Sequence, residues 1–509
     1  MKNWALRKTD KEMVQILRET IDTNLYGIGL SSYKKIRKCM GLEGTRGQKH
    51  TLETIHPFIC QLRKKYPKAG ARDMVAILFQ EKGLMVSRLV LRKVTDLVVL
   101  YFKVFEPEAC RERRTGWLRR RRFWAAGVND MFAVDQHDKW KRFGLSLHVG
   151  IDPFPGKCHW IRVWWTNSNP KLICSYYLDT IRSLGVMLLI TQSDPGSENY
   201  GIANAHTTLR HMHNRLLEGT VQHRWMRHKK NVKPEATWSQ FRRRFAPGFE
   251  DLLELGVTNG WYDITHPIDV LTFCWVFIPY IQSEVDAYVH HVNFTKKRSD
   301  KNKVLPHGIP EDIATNPGAF GCLDFGINVD PAAIDYVEQR YAPRDDPVFQ
   351  LVPPTIHEYI SRAYAELGCP SVTFETAWDV YRMLVLCLED LQARVDLNEN
   401  FKSAMDDWEV EAHLLTHSDE EDQGNDLPYG PPEGTELAGG EDQVRPDGSI
   451  YMGGVNGGRG IDSNLEARLD KLTEADNDFE FEIDEQGVAT EFEDDSDYED
   501  LNPGVVGQW

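Results

Sequence analysis

Between residues 132 and 165 three apolar runs follow one another: Phe132-Ala133-Val134-Asp135, then Leu145-Ser146-Leu147-His148-Val149-Gly150-Ile151, then His159-Trp160-Ile161-Arg162-Val163-Trp164-Trp165. The second and third alternate in the period-2 manner of strands and are rich in β-branched and aromatic residues. Short connections between them predict an antiparallel meander. Working outward, residues 170–184 read as an amphipathic helix, 186–190 as a buried strand, 201–217 as a helix, 220–225 as a strand and 234–255 as a helix. The order is β-β-β-α-β-α-β-α.

That is the order of the ribonuclease H-like α/β fold, a mixed five-stranded sheet with flanking helices whose first strand lies central, beside the fourth. Asp135 ends the first strand, and Asp194 follows the fourth in Thr191-Gln192-Ser193-Asp194-Pro195-Gly196, where the Pro-Gly turn leaves its carboxylate at the sheet edge. Glu235 lies 41 residues beyond Asp194, in the first turn of a helix begun by Pro234. The three acids are therefore expected to meet. Such a set suits two Mg²⁺ ions, with Mn²⁺ able to substitute, in cutting and joining phosphodiesters: hard cations take carboxylate oxygens, and no covalent intermediate is needed. Ser239 and Arg242 share the helix face of Glu235 and are expected on the DNA backbone, with Arg227, Lys229 and Lys230, and His223 beside them, from the preceding segment. Trp238 reads as a core anchor. Asp138 and Asp152 read as structural neighbours, and Glu198 as a helix N-terminal acid or substrate contact.

Charge is distributed unevenly. Of 76 acidic and 60 basic residues, 27 and 4 fall between Ser418 and Trp509, leaving 49 acidic against 56 basic in the rest. Residues 1–124 alone carry 28 basic and 12 acidic side chains, the footprint of a polyanion binder. Residues 1–125 read as a basic helical DNA-binding region. Its clearest piece is Ala71 to Leu78, a turn at Gly83, and a second helix from Arg88 capped by Ser87, a helix-turn-helix pattern. Arg88, Arg92 and Lys93 are its candidate DNA contacts, and Arg119, Arg120 and Arg121 those of the arginine-rich linker that follows. Residues 126–260 then form the catalytic core and 261–410 a helical extension. The stretch 411–509, rich in Gly, Pro, Asp and Glu, reads as a disordered acidic tail.

The nine cysteines stand singly, so no disulfide or zinc framework is indicated and buried thiols are expected. No run of apolar residues reaches the length of a membrane span and the N-terminus lacks a secretory pattern, so a soluble intracellular protein is expected.

At Phe123-Trp124-Ala125-Ala126-Gly127-Val128-Asn129-Asp130, Val134-Asp135-Gln136-His137-Asp138-Lys139-Trp140, Gln192-Ser193-Asp194-Pro195-Gly196-Ser197-Glu198-Asn199 and Lys233-Pro234-Glu235-Ala236-Thr237-Trp238 the chain resembles integrase-core proteins of the fungal type. These are relatives of retroviral integrases and DDE transposases. The resemblance covers roughly residues 60–400. It implies Mg²⁺-dependent DNA cleavage and strand transfer through Asp135, Asp194 and Glu235, by a homo-oligomer acting on DNA in the nucleus. The rival expectations are a domesticated, catalytically silent DNA-binding protein and a ribonuclease H-type nuclease. Two departures stand out: no zinc-binding motif precedes the core, and Val94 to Leu100 reads as extra sequence after the second helix of the helix-turn-helix.

Overall fold

Five strands make one mixed sheet: β1 (Met131–His137), β2 (Ser146–Asp152), β3 (Lys157–Trp164), β4 (Ile190–Ser193) and β5 (His223–Trp225), in the spatial order β3-β2-β1-β4-β5. The first three pair antiparallel, while β4 runs parallel to β1 and β5 parallel to β4. This is the ribonuclease H-like arrangement, with the first strand central and beside the fourth. The computed structural model describes residues 8–22, 25–86, 101, 105, 123–226, 231–297 and 305–392, with the backbone of 443–444 and 450–451.

Both faces of the sheet are covered. Phe132 and Val134 point from β1 into an apolar cluster with Ile173, Tyr177 and Ile181 of α1 (Pro170–Leu184) and Ile202, Ala205 and Leu209 of α2 (Tyr200–His213). Alternation sends Ala133, Asp135 and His137 to the opposite face. There α3 (Val232–Arg244) packs on β1 and β2, with Trp238 stacked on His137 at a ring separation of 4.8 Å.

Several boundaries differ from expectation, each for a local reason. Residues 234–255 form two helices, α3 and α4 (Ala246–Thr258), which meet at Phe245; Pro247 in the first turn of α4 has no N–H to continue α3. α3 begins at Val232, two residues before Pro234. The stretch 186–190 splits: Val186–Met187 pairs antiparallel with Ile327–Asn328, and β4 starts only at Ile190. α2 ends at His213, and Arg215–Leu217 is a separate 3-10 turn.

The outer edge of β3 is closed by α5 (Pro267–Phe294). Gln282 accepts from Val163 N at 2.8 Å and donates to Ile161 O at 3.0 Å. Asn293 accepts from Cys158 N at 2.9 Å and donates to Cys158 O at 2.6 Å. Two amides thus do what a neighbouring strand would do, and the edge offers no free ladder there. Among the described residues α5 is the one helix long and apolar enough to cross a membrane, but Leu271, Phe273, Phe277 and Ile281 are buried inside the protein.

Beyond α5 the chain returns to the core. Leu323–Asp324 pairs parallel with Gly127–Val128, and the approach is so close that a Cβ on Gly127 would strike the Leu323 carbonyl. α6 (Pro331–Tyr341) then adds Ile334, Val337 and Tyr341 to the cluster beneath β1. Arg182 on α1 fixes it through Asp335 and Glu338, at 3.0 and 2.9 Å.

The chain divides into two compact units, built on Met1–Arg120 and on Arg121–Glu480. In the first, helices Asp10–Thr20 and Leu52–Lys65 open with capping boxes at Thr9 and Thr51. Ile55, Ile59 and Leu62 form the buried stripe of the second of these, against which Ala71–Lys82 packs. Gly83, at φ 67°, ends that helix in the left-handed region, as a helix-capping glycine does. The second helix expected from Arg88 and the stretch Val94 to Leu100 lie outside the described residues. All described cysteines are free; Cys158, Cys174 and Cys274 are buried as expected, whereas Cys39, Cys60 and Cys369 are exposed.

Candidate active site

Asp135 and Asp194 owe their approach to strand register. The parallel ladder pairs Ala133 with Gln192; Asp135 stands two residues further along β1, and Asp194, two residues beyond Gln192, is the first residue past the end of β4. Neighbouring strands lie about 4.8 Å apart, which is the scale of the separation between the two backbones. The turn after β4 is held from several sides. Ser193 Oγ donates to Asp194 O at 2.7 Å, Asn199 Nδ2 donates to the same carbonyl at 3.3 Å, and His223 of β5 hydrogen-bonds both Thr191 and Ser193, at 2.8 and 3.0 Å.

Glu235 comes from the first turn of α3, the helix that lies over this face. Its approach registers on Asp135: burial, then the charges of Asp194, Glu235 and Glu198, push the Asp135 carboxyl well above the usual carboxylate range. Burial raises Asp194 to about 6. The three acids predicted to meet are thus electrostatic neighbours at the carboxyl ends of β1 and β4.

Glu198 belongs to the same group, more closely than its place in the sequence suggested. It is buried in the 3-10 turn Ser197–Asn199, lies over Gly196 where a Cβ would collide with its carboxylate, and accepts from Asn199 Nδ2 at 2.7 Å. Burial pushes it up to about 7, with Asp138 and Asp194 adding to the shift. Asp138 itself is exposed, bound by Asn167 at 2.9 Å and Lys141 at 3.0 Å. Asp152 sits at the opposite end of β1, where it accepts from Asn129 N at 2.8 Å and Phe154 N at 3.0 Å and holds a turn.

Sequence reasoning missed Asn231. Fully buried, its side chain donates to Val134 O at 2.8 Å and accepts from Gln192 Nε2 at 3.2 Å. The one available signal was an Asn just before a helix, which reads as a cap; no side-chain cap bond forms.

The basic candidates fare differently. Arg242 is exposed on α3 and near enough to His137 to help burial lower that imidazole to about 4. Ser239 is only 3% exposed, so of the two expected backbone contacts only Arg242 is open to a phosphate. His223, expected beside DNA, is instead a buried clamp between β4 and β5. Arg88, Arg92, Lys93, Arg119, Arg120, Arg121, Arg227, Lys229 and Lys230 lie outside the described residues.

As a donor set the acids fit hard divalent cations: carboxylate oxygens, largely withdrawn from water, whose negative forms raise one another's pKa. Among the described residues, however, no three acidic, histidine or cysteine side chains are already closed into a metal-ligand cluster. The acids are neighbours rather than a finished cage.

In comparison with known proteins, residues 123–312 match the family model described as Integrase core domain. That segment is an integrase core domain. The integrase core takes in all five strands, α1 to α5, and Asp135, Asp194, Glu198, Asn231 and Glu235 alike. No curated protein and no solved structure matches the chain. The match over that segment, with the ribonuclease H-like sheet, supports an integrase-type assignment within the ribonuclease H-like superfamily.

Proposed function

We propose that this integrase core is a metal-dependent DNA-cleaving and strand-transferring enzyme in which Asp135, Asp194 and Glu235 hold two Mg²⁺ ions. The observation that carries the reading is the adjacency of β1 and β4, which sets Asp135 near Asp194 just past the end of β4, with the charges of Asp194 and of Glu235 on α3 both acting on Asp135. When bound, the ions supply Lewis-acid activation of the attacking oxygen and stabilise the leaving one. The chain's own part is to set three carboxylates around one point and to keep their helix from sliding over the sheet. Arg242, exposed seven residues along that helix from Glu235, engages a backbone phosphate beside the acids. The basic N-terminal region, residues 1–125, docks DNA through its helix-turn-helix, with the arginine run 119–122 as a phosphate-contacting arm. A homo-oligomer bringing two DNA ends together in the nucleus completes the reading, with 261–410 an extension of the core and 411–509 an acidic tail.

The test is a joining assay with the full chain, end-labelled DNA and a target duplex, in Mg²⁺ and in Mn²⁺. Joined product is expected. Asp135→Asn, Asp194→Asn and Glu235→Gln should each lower it by about 10³-fold or more, as removal of a group acting only in the transition state does, while DNA binding persists. Binding with no metal-dependent cleavage would instead mark a silent DNA-binding protein, and cleavage confined to RNA–DNA hybrids a ribonuclease H-type nuclease.

A further inference from the structure

We propose that Asn231 is a positioning residue that holds Glu235 in register with Asp135 and Asp194, so that the three carboxylates face a divalent cation together. The inference rests on the reading of those acids given above and adds to it the device that assembles them.

One buried amide touches all three elements. Asn231 is the residue before α3, one helical turn ahead of Glu235. Its Nδ2 donates to the carbonyl of Val134, the residue before Asp135, at 2.8 Å. Its Oδ1 accepts from Gln192, two residues before Asp194, at 3.2 Å. The side chain therefore ties the start of α3 to β1 and β4 at the level of both aspartates. A second contact brackets the pair from the other side: His137, two residues past Asp135, stacks on Trp238, three residues past Glu235. Asp135 thus lies between Val134 and His137, and Glu235 between Asn231 and Trp238, with each flank of one joined to a flank of the other.

The chemistry at position 231 is restrictive. A side chain of this length must offer a donor to a carbonyl and an acceptor to an amide, both in an interior where an unmade hydrogen bond is costly. Aspartate would keep the acceptor, lose the donor and bring a further negative charge. Alanine would lose both, leaving the start of α3 without its ties to β1 and β4 and Glu235 free to drift.

The experiment is calorimetric titration of Mn²⁺ into the full-length chain without DNA, for wild type, Asn231→Ala, Glu235→Gln and the double variant, with circular dichroism to verify the fold. Asn231→Ala should weaken Mn²⁺ binding about tenfold, the scale seen when a residue that orients a metal ligand is removed. In the Glu235→Gln background the same change should cost nothing further, because the ligand it positions is gone. Wild-type affinity in folded Asn231→Ala, or equal losses in both backgrounds, would overturn the proposal while leaving the three-acid reading intact. If Asn231→Ala does not fold, Gln192→Met cuts one arm of the clip: a smaller loss of Mn²⁺ affinity is expected, and unchanged affinity overturns the proposal. A wild-type chain that binds no Mn²⁺ would overturn the three-acid reading and this inference together.

Discussion

Asp194 near 6, Glu198 near 7 and Asp135 higher than a free carboxylate mean that the folded chain holds protons an unfolded chain would release. The sign follows. Between about pH 4 and pH 7 these carboxyls bind more protons in the native state than in the unfolded one, so their contribution to stability is fully present at the acid end and is lost as pH rises through that window, while buried histidines such as His137, whose pKa burial lowers to about 4, contribute with the opposite sign. In metal-free protein Asp194→Asn, which cannot ionise, should gain melting temperature relative to wild type as pH rises from about 5 to about 7.5; thermal melts of both proteins at both pH values check it, and a difference that stays constant across that window would contradict it. Asp194 was legible in the sequence because a Pro-Gly turn marks a strand end wherever it occurs; Asp135 was read at the end of its strand, which in the structure runs on to His137. Asn231 was not legible. Its role lies in hydrogen bonds spanning 97 and 39 residues, and no local pattern distinguishes it from a cap. Glu198 was undervalued for a related reason: four residues past Asp194 it looks like a helix-start acid, and only burial over Gly196 turns it toward the other carboxylates.

At the scale of elements, the order of strands and helices could be read because each run is long enough to show its period. Their ends could not, where a proline or a distant partner decides. Phe245 breaks a helical pattern that periodicity alone continues, and Val186–Met187 leaves the central sheet to pair with a segment about 140 residues away. The clasp of α5 on β3 is of the same kind. Gln282 and Asn293 are eleven residues apart, three helical turns and about 16 Å, close to the span of β3 they serve, so both fall on one face of α5. Removing one amide leaves a buried strand edge without its partner. Asn293→Leu should destabilise the fold by about 2 kcal/mol or more through the orphaned Cys158 N–H and C=O, measured as a lower denaturation midpoint in urea. An unchanged midpoint would show that the edge is satisfied by other means.

For the whole molecule, the sequence resemblance placed the fold and the superfamily, and the match over residues 123–312 agrees with it. The core is completed beyond residue 312, where that match ends. Ile334, Val337 and Tyr341 of α6 fill the cluster beneath β1, and Trp378 packs against Phe277 and over Gly256. Strand β1 is thus supported from below by sequence outside the family match, and from above by α3, which carries Glu235. The central claim is that this support gathers three carboxylates for divalent cations. Its most direct test is the anomalous scattering of Mn²⁺ in crystals of the protein. A peak within about 2.0 to 2.3 Å of carboxylate oxygens of both Asp135 and Asp194, weakened or lost in Glu235→Gln, is the predicted result. Mn²⁺ bound elsewhere, or absent at millimolar concentration with the acids ordered, would contradict it.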